Sequence, residues 1–203
     1  MIEFSKLTLS DEEQLLVNNS EWILTKRIII DKVNQLMGTL SEKQKQVIEK
    51  EKAALPLAVV QSTPKISRGE NYLQLPYMIL DYPRCFDGEN IFAIRTMFWW
   101  GNFFSITLQL SGIYKKLYEQ KIVTNIDSLN KDFFICVNES QWHQHFEKSN
   151  YIPLKQFTAD AFAKNILNKS FIKIAIQYPL QSWNELAVLL DNSFKEIIEM
   201  LKA

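Results

Sequence analysis

The chain has 203 residues, of which 47% are hydrophobic and 12% aromatic, a composition that excludes a disordered protein and predicts a large apolar core. Its 23 basic and 23 acidic residues give a formal net charge of zero. Because a neutral total argues against a strongly electrostatic partner, we expect neither nucleic acid nor a membrane surface among its partners.

Targeting signals are also missing from the sequence. The first residues do not combine a charged segment with a following apolar one, so no signal peptide is predicted. No apolar run approaches the roughly 18 residues that a membrane span needs. The two cysteines, Cys85 and Cys136, are too few for a disulfide framework. Together these observations predict a soluble protein in the cytoplasm.

Capping motifs and apolar stripes predict three helices in the N-terminal part, residues 10 to about 55. Ser10 and the glutamate three residues later form a capping box. A second helix begins at Ser20 and ends at Gly38, the expected place of a left-handed cap. Its apolar stripe is broad enough to be buried on more than one side. A third, highly charged helix covers about 41–55. Its charges indicate either a solvated helix packed by one edge or a partner-binding arm.

The remainder, about 57–203, has the patterns of a sheet with helices at its ends. Strands are predicted at about 72–82, 90–100, 103–112, 132–137 and 170–178. Polar and apolar residues alternate in two of them. In 103–112 the polar residues Ser105, Thr107, Gln109 and Ser111 are expected to face solvent or a wet cavity, and in 170–178 Lys173 and Gln177 are expected to face outward. Helices are predicted at 113–122, at 158–167 with Thr158 as the cap, and from a capping box at Ser182 to the end, and a helical turn is predicted at 140–148. The fold class is therefore α+β, with an antiparallel sheet of about five strands packed by the N-terminal helices and a long C-terminal helix. The length suits a single domain over 1–203.

The most informative segment is the predicted hairpin of residues 90–112, because it places an arginine among apolar residues. Gly101 and Asn102 are typical of a two-residue turn. With that turn, Arg95 faces Leu108 on the apolar side of the hairpin. A shift of one residue would move Arg95 to the polar side, so the assignment depends on the turn.

An arginine in apolar surroundings needs a counter-charge, since an unpaired buried guanidinium is costly. Asp81 is the acidic residue on the apolar face of the preceding strand. The simplest solution is an Asp81–Arg95 ion pair between neighbouring strands. A pocket in which Arg95 binds a small anionic ligand is the alternative. A different register, or an arginine that extends to solvent, is the third interpretation.

Aromatic and charged residues crowd the ends of these strands, as they do in many small-molecule pockets. The predicted ligand-binding residues are Tyr77, Asp81, Tyr82, Arg84, Arg95, Trp99 and Trp100. Alternatively, the rings fill the core beneath the helices with their polar tips at the rim. An exposed pair of tryptophans would instead indicate a protein interface.

Catalytic and metal-binding motifs are weak or missing. His143 and His145 lie two residues apart in the predicted helix 140–148, where their side chains would point about 200° apart, so we expect no metal site. Arg84 would lower the pKa of the neighbouring Cys85, but no cysteine–histidine arrangement is indicated. Serine-nucleophile, phosphate-loop and dinucleotide motifs are missing, so we expect no cofactor.

Three functions remain as hypotheses. The first is a non-catalytic binding or protein-interaction module with its aromatic and charged site near the 72–112 strands. The second is an enzyme that acts on a small anionic substrate, with Arg95 as the anion clamp and Asp81 or a histidine as the base. The third is a structural subunit that forms a homodimer through its N-terminal helices. The missing catalytic motif favours the first, and whether the protein is an enzyme stays open.

Overall fold

The computed structural model describes residues 7–129 and 132–202. Residues 1–6, part of the segment for which no signal peptide is predicted, lie outside the described residues. The predicted α+β class is confirmed: helices pack against an antiparallel sheet of seven strands. The sheet has two strands more than expected, one before the first predicted strand and one short strand after residue 150. Within the described ranges, no helix is long and apolar enough to cross a membrane.

The elements follow one another as a helical segment, a four-stranded meander and a mixed C-terminal part. The helices are α1 (Asp11–Asn18), α2 (Ser20–Lys50), α3 (Leu57–Val60), α4 (Gly112–Asn125), α5 (Ala159–Asn168) and α6 (Leu186–Met200). The strands are β1 (Lys65–Tyr72), β2 (Leu75–Asp87), β3 (Asn90–Trp99), β4 (Phe103–Ser111), β5 (Phe134–Cys136), β6 (Tyr151–Pro153) and β7 (Phe171–Pro179). Their order across the sheet is β1-β2-β3-β4-β7-β5-β6.

One face of the sheet carries the main core, and helices cover it. Alternation along β4 turns Phe104, Ile106 and Leu108 to this face, where all three are fully buried. The helices α2 and α6 supply matching apolar stripes, of which Val33, Met37, Leu40, Leu190, Phe194 and Ile197 are completely buried. This arrangement agrees with the predicted packing of the sheet by N-terminal helices and the C-terminal helix.

The predicted end of a helix at Gly38 is wrong, because α2 runs without a break through this residue. The hydroxyl of Ser41 donates to the carbonyl of Gly38 at 2.8 Å inside the helix, so it does not cap a new one. Met37 and Leu40 flank the predicted break and are both fully buried against the core. Packing on both sides of the glycine therefore keeps the helix continuous, and the charged segment 41–50 is its last third.

The β3–β4 register differs from the prediction by one residue. The amide of Asn102 donates to the carbonyl of Trp99, and the amide of Trp100 donates to Pro76 on β2, so the loop has three residues rather than two. Trp99 therefore pairs with Phe103, and Arg95 faces Thr107 instead of Leu108. The slip moves Arg95 from the helix-covered face to the opposite face of the sheet.

Three local expectations about the C-terminal half are also corrected. Residues 140–148 form turns and bends, not a helix. Lys173, expected to face outward, is 1% exposed because the chain covers that face of the sheet as well. Ser182 closes a 3-10 turn, and α6 begins only at Leu186 without a side-chain cap. By contrast, Thr158 caps α5 as predicted.

Candidate functional site

The second face of the sheet holds a buried polar cluster. Ser105, Thr107 and Gln109 on β4, expected to face solvent or a wet cavity, are each at most 3% exposed. Residues 137–150, which join β5 to β6 and are called the covering loop below, lie across this face. The amide of Gln109 donates to the side chain of Gln141 in that loop at 2.9 Å. Alternating polar residues on β4 thus mark a polar interior rather than a wet surface.

The predicted Asp81–Arg95 ion pair is present at the centre of this cluster. Arg95 Nε lies 2.7 Å from Asp81 Oδ1, and a second guanidinium nitrogen lies 2.9 Å from Oδ2. The two residues face each other directly across β2 and β3, and their side chains are 17% and 10% exposed. Both carboxylate oxygens are used, so the aspartate already occupies the position that an anionic ligand of Arg95 would take.

Lys173 is the second cation of the cluster. Its ammonium donates to the backbone carbonyls of Gln141 and His143 in the covering loop, at 3.0 and 2.5 Å. Burial, with a smaller contribution from the charge of Arg95, lowers the pKa of Lys173 to about 7. A lysine with such a pKa is typical of functional sites, yet both hydrogen bonds that Lys173 makes within residues 7–129 and 132–202 go to the loop that covers it. The contacts therefore assign it a role in holding the loop on the sheet.

Tyr72 holds the same loop from the edge of the sheet. Its hydroxyl accepts a hydrogen bond from the amide of Gln144 at 2.6 Å and lies 3.0 Å from Nδ1 of His145. Which of the two groups donates in this hydrogen bond depends on the tautomer of the imidazole ring. Burial lowers the pKa of His145, which agrees with a neutral ring.

The two histidines are arranged differently from the expectation. Without a helix at 140–148, the rings of His143 and His145 stack with their centroids 5.3 Å apart instead of pointing in opposite directions. In the described part of the chain, no three histidine, cysteine or acidic side chains come together in a group that could hold a metal ion. The pair of rings by itself does not amount to a metal site.

Neither cysteine is an activated thiol. Burial raises the pKa of Cys85 more than the nearby Tyr114 and Arg84 lower it, contrary to the expectation from Arg84 alone. Cys85 donates to the carbonyl of Ala58 at 3.0 Å. Cys136 is 2% exposed, and burial raises its pKa as well. Because the thiolate is the reactive form, both residues favour the unreactive thiol at neutral pH.

The predicted ligand-binding residues do not share one pocket. Tyr77, Asp81, Arg95 and Trp99 alternate onto the polar face of β2 and β3. Tyr82 and Trp100 belong to the helix-covered core instead, and Arg84 donates to the carbonyl of Thr63 at 3.3 Å. Tyr77 also lines a groove of about 350 Å³ between α2 and the β1–β2 edge. Ligand binding by the seven residues remains a prediction.

The structure exposes an apolar surface near the N-terminus where the sequence predicts buried residues. We call α1 and the first turns of α2, residues 11–28, the N-terminal arm. In α1 no residue is buried. In α2, Trp22, Ile23, Leu24 and Ile28 are 41 to 55% exposed, whereas the apolar stripe was expected to be buried on more than one side. The excessive width of that stripe was the available signal, because one sheet can bury only one side of a helix.

Comparison with known proteins does not assign a role to either region. No family model, no curated protein and no solved structure matches this chain.

Proposed function

We propose that the protein is a non-catalytic interaction module whose contact surface is the N-terminal arm. The main observation in support is that none of the eight residues of α1 is buried, although Leu15, Leu16 and Val17 lie in this helix. Isolated helices shorter than about 12 residues are marginal in water, so packing normally stabilises such a helix. A partner on the arm supplies the packing that the rest of the chain does not.

The amount of exposed apolar surface supports the same proposal. Among the described residues, nineteen large hydrophobic side chains are exposed, and nine of these lie at positions 7–28. Scattered exposed hydrophobics are ordinary, but a concentration in one short segment is typical of a protein-interaction site. Leu16 on α1 is 51% exposed, and Leu24 on α2 is 55% exposed.

The proposal moves the contact surface away from the 72–112 strands, where the aromatic side chains have partners inside the molecule. The indole of Trp99 donates to the carbonyl of Tyr72 at 3.2 Å. Trp100 packs edge to face against Trp22 and Phe98. These contacts leave no exposed pair of tryptophans at the hairpin.

An enzyme acting on a small anionic substrate, with Arg95 as the clamp, is the alternative function. It has less support, because a substrate would have to displace Asp81 and also the covering loop. One domain over residues 1–203, a cytoplasmic location, the lack of a cofactor and the lack of a nucleic-acid partner stay predictions from composition and motifs.

The proposal is tested with a variant that places charges on the arm, Leu16→Glu with Leu24→Glu. The tagged protein is used to capture partners from cells that express it. We expect the wild type to retain a partner and the variant to lose it, since buried hydrophobic anchors contribute most of the binding energy at interfaces. Leu117→Glu on α4 is the matched control, because Leu117 is also 51% exposed. Equal capture by the arm variant and the wild type contradicts the proposal, provided circular dichroism shows both folded.

A further inference from the structure

We propose that the buried polar cluster under the covering loop is a binding site for a small tetrahedral oxyanion, such as sulfate or a phosphate group. Lys173, Arg95 and Tyr151 supply the donors of this site. It goes beyond the proposed function, because it lies on the sheet and includes no residue of the N-terminal arm. Three observations support it: the balance of buried charge, the atoms that surround Lys173, and the unused donors beside it.

The first observation is an excess of positive charge under the loop. Among the described residues, Asp81 is the one buried carboxylate on this face of the sheet, and both of its oxygens are bound to Arg95. The two acids of the covering loop, Glu139 and Glu147, are exposed. Lys173 is therefore a buried cation without a carboxylate, an arrangement that is costly unless an anion completes it.

The second observation concerns the atoms that surround the ammonium of Lys173. The carbonyl oxygens of Gln141 and His143 lie 3.0 and 2.5 Å from its Nζ. Two oxygens of a bound oxyanion would make the same pair of hydrogen bonds. Carbonyls carry only partial charges, so they satisfy the donors of Lys173 without neutralising it. The loop thus occupies the position of an anion, and an oxyanion that displaces it supplies the missing charge.

The third observation is a buried hydroxyl beside Lys173. Nζ of Lys173 lies 5.6 Å from the centre of the Tyr151 ring. Tyr151 is 2% exposed, and its hydroxyl makes no hydrogen bond of normal geometry to any described residue. Thr107 on β4 is close enough to lower the pKa of Tyr151 but does not meet that geometry. A buried hydroxyl without a partner is rare in folded proteins and indicates a group that the site has yet to receive.

Arg95 supplies the remaining donor. Asp81 takes Nε and one terminal nitrogen of the guanidinium, which leaves the other terminal nitrogen outside the ion pair. The charge of Arg95 lowers the pKa of both Lys173 and Tyr151, so the three groups lie within electrostatic reach of one another. Donors from three different strands match the several oxygens of a tetrahedral oxyanion better than the two of a carboxylate.

Isothermal titration calorimetry of the full chain with sulfate tests the site. We expect the Kd of sulfate to rise at least about tenfold from about pH 6 to about pH 8.5, because only protonated Lys173, with a pKa of about 7, attracts the ion. The charge of sulfate itself does not change in this window. Other titratable or charged groups face Lys173 from each neighbouring element: Arg95 with its partner Asp81, Cys136, Tyr151, His143 and His145.

Variants of Lys173 separate its titration from that of the histidines. Lys173→Met should raise the Kd of sulfate at about pH 6 by about a hundredfold or more, since it removes the main charge of the site. Lys173→Arg should bind sulfate with the same Kd at both pH values, because a guanidinium stays protonated. Lys169→Met is the matched control and should bind like the wild type, although Lys169 also donates to two loop carbonyls.

Tyr151→Phe changes one hydroxyl and keeps the buried ring, so it tests the site with little risk to the fold. We expect it to raise the Kd of sulfate about tenfold, as for a lost hydrogen bond to a charged group. Hydrogen exchange provides a second measurement. Sulfate should increase the exchange of the Gln144 amide, which donates to Tyr72 while the loop is closed.

Three further probes identify the class of anion. Acetate should bind much more weakly than sulfate, and acetate binding of equal strength would overturn the choice of a tetrahedral ion. Inorganic phosphate and methyl phosphate distinguish a free ion from a phosphate group on a larger molecule: weaker binding of methyl phosphate assigns the free ion, and equal or tighter binding assigns the ester.

The proposal is overturned if the wild type binds no sulfate at about pH 6, or if folded Lys173→Met binds it as tightly as the wild type. It also fails if the pH dependence persists in Lys173→Arg, because the histidines would then control binding. Sulfate binding that leaves the exchange of the covering loop unchanged places the ion elsewhere and has the same consequence.

Discussion

Asp81 and Arg95 meet because they occupy facing positions on β2 and β3, and this pairing depends on one strand register alone. The cost of a buried guanidinium predicts this pair, and Asp81 is the correct partner. The predicted position of Arg95 opposite Leu108 is wrong, since Thr107 is the facing residue. The error did not affect the pair, because the slip concerns the β3–β4 turn and leaves the β2–β3 register unchanged.

The ion pair is expected to be structural, and Asp81→Ala tests this. The variant leaves the charge of Arg95 buried without compensation and should lower the free energy of unfolding by about 3 kcal/mol or more. Asp81→Ala combined with Arg95→Met removes both charges and should recover much of the loss. Urea denaturation measures the free energy of unfolding of the wild type, of Asp81→Ala and of the double variant. A single variant as stable as the wild type would show that the pair contributes nothing to folding.

Lys173 should make stability depend on pH. Its pKa falls from 10.5 to about 7 on burial, so between these two values the unfolded chain holds the extra proton. The free energy of unfolding therefore rises with pH through this window, and below it the full cost of the buried cation is present. From about pH 7 to about pH 8.5 the wild type should gain roughly 1 to 2 kcal/mol relative to Lys173→Met.

The control for this prediction is Lys169→Met. Lys169 also donates to two backbone carbonyls of the covering loop, those of Val137 and Asn138, at 2.9 and 2.7 Å. The control therefore accounts for lost hydrogen bonds to the loop while keeping Lys173. Parallel stability curves for the wild type and Lys173→Met across the window would refute the assignment of the pH dependence to this lysine.

Among the secondary-structure elements, α2 shows how packing overrides local signals. Gly38 and Ser41 have the residue types of a helix end followed by a helix start. The helix continues because its buried stripe extends past them to Gln44 and Ile48, both 1% exposed. The covering loop shows the converse: Trp142 and Phe146 have helical spacing, but Phe146 packs on the sheet against Phe103 and Phe134.

Gly38→Ala distinguishes a continuous helix from the predicted cap. An added Cβ at Gly38 meets no atom within 4 Å, and the backbone there is helical. Alanine should therefore stabilise the protein by about 0.5 to 1 kcal/mol, because glycine is unfavourable inside a helix. Thermal unfolding measures the change. Destabilisation of similar size would mean a left-handed conformation at this residue and a helix that ends here.

In the molecule as a whole, both faces of the sheet are covered but by different means. Helices bury the apolar face, while the β5–β6 hairpin adds to the sheet beyond β7 and carries the covering loop over the polar face. The N-terminal arm contacts the sheet region through Trp22 and Lys26, while its other large apolar side chains are exposed. At this scale the arm variants are decisive, since they change only the surface that the folded chain presents to a partner.

The sequence by itself determined the α+β class, the strand alternation of β4 and β7, and the need of Arg95 for a carboxylate, because periodicity and the cost of a buried charge are local properties. Only the tertiary structure decided which face of β3 carries Arg95, which residues cover Lys173, and that the apolar stripe of α2 begins outside the core. These features depend on one-residue registers and on contacts between segments far apart in the chain, which local patterns do not encode.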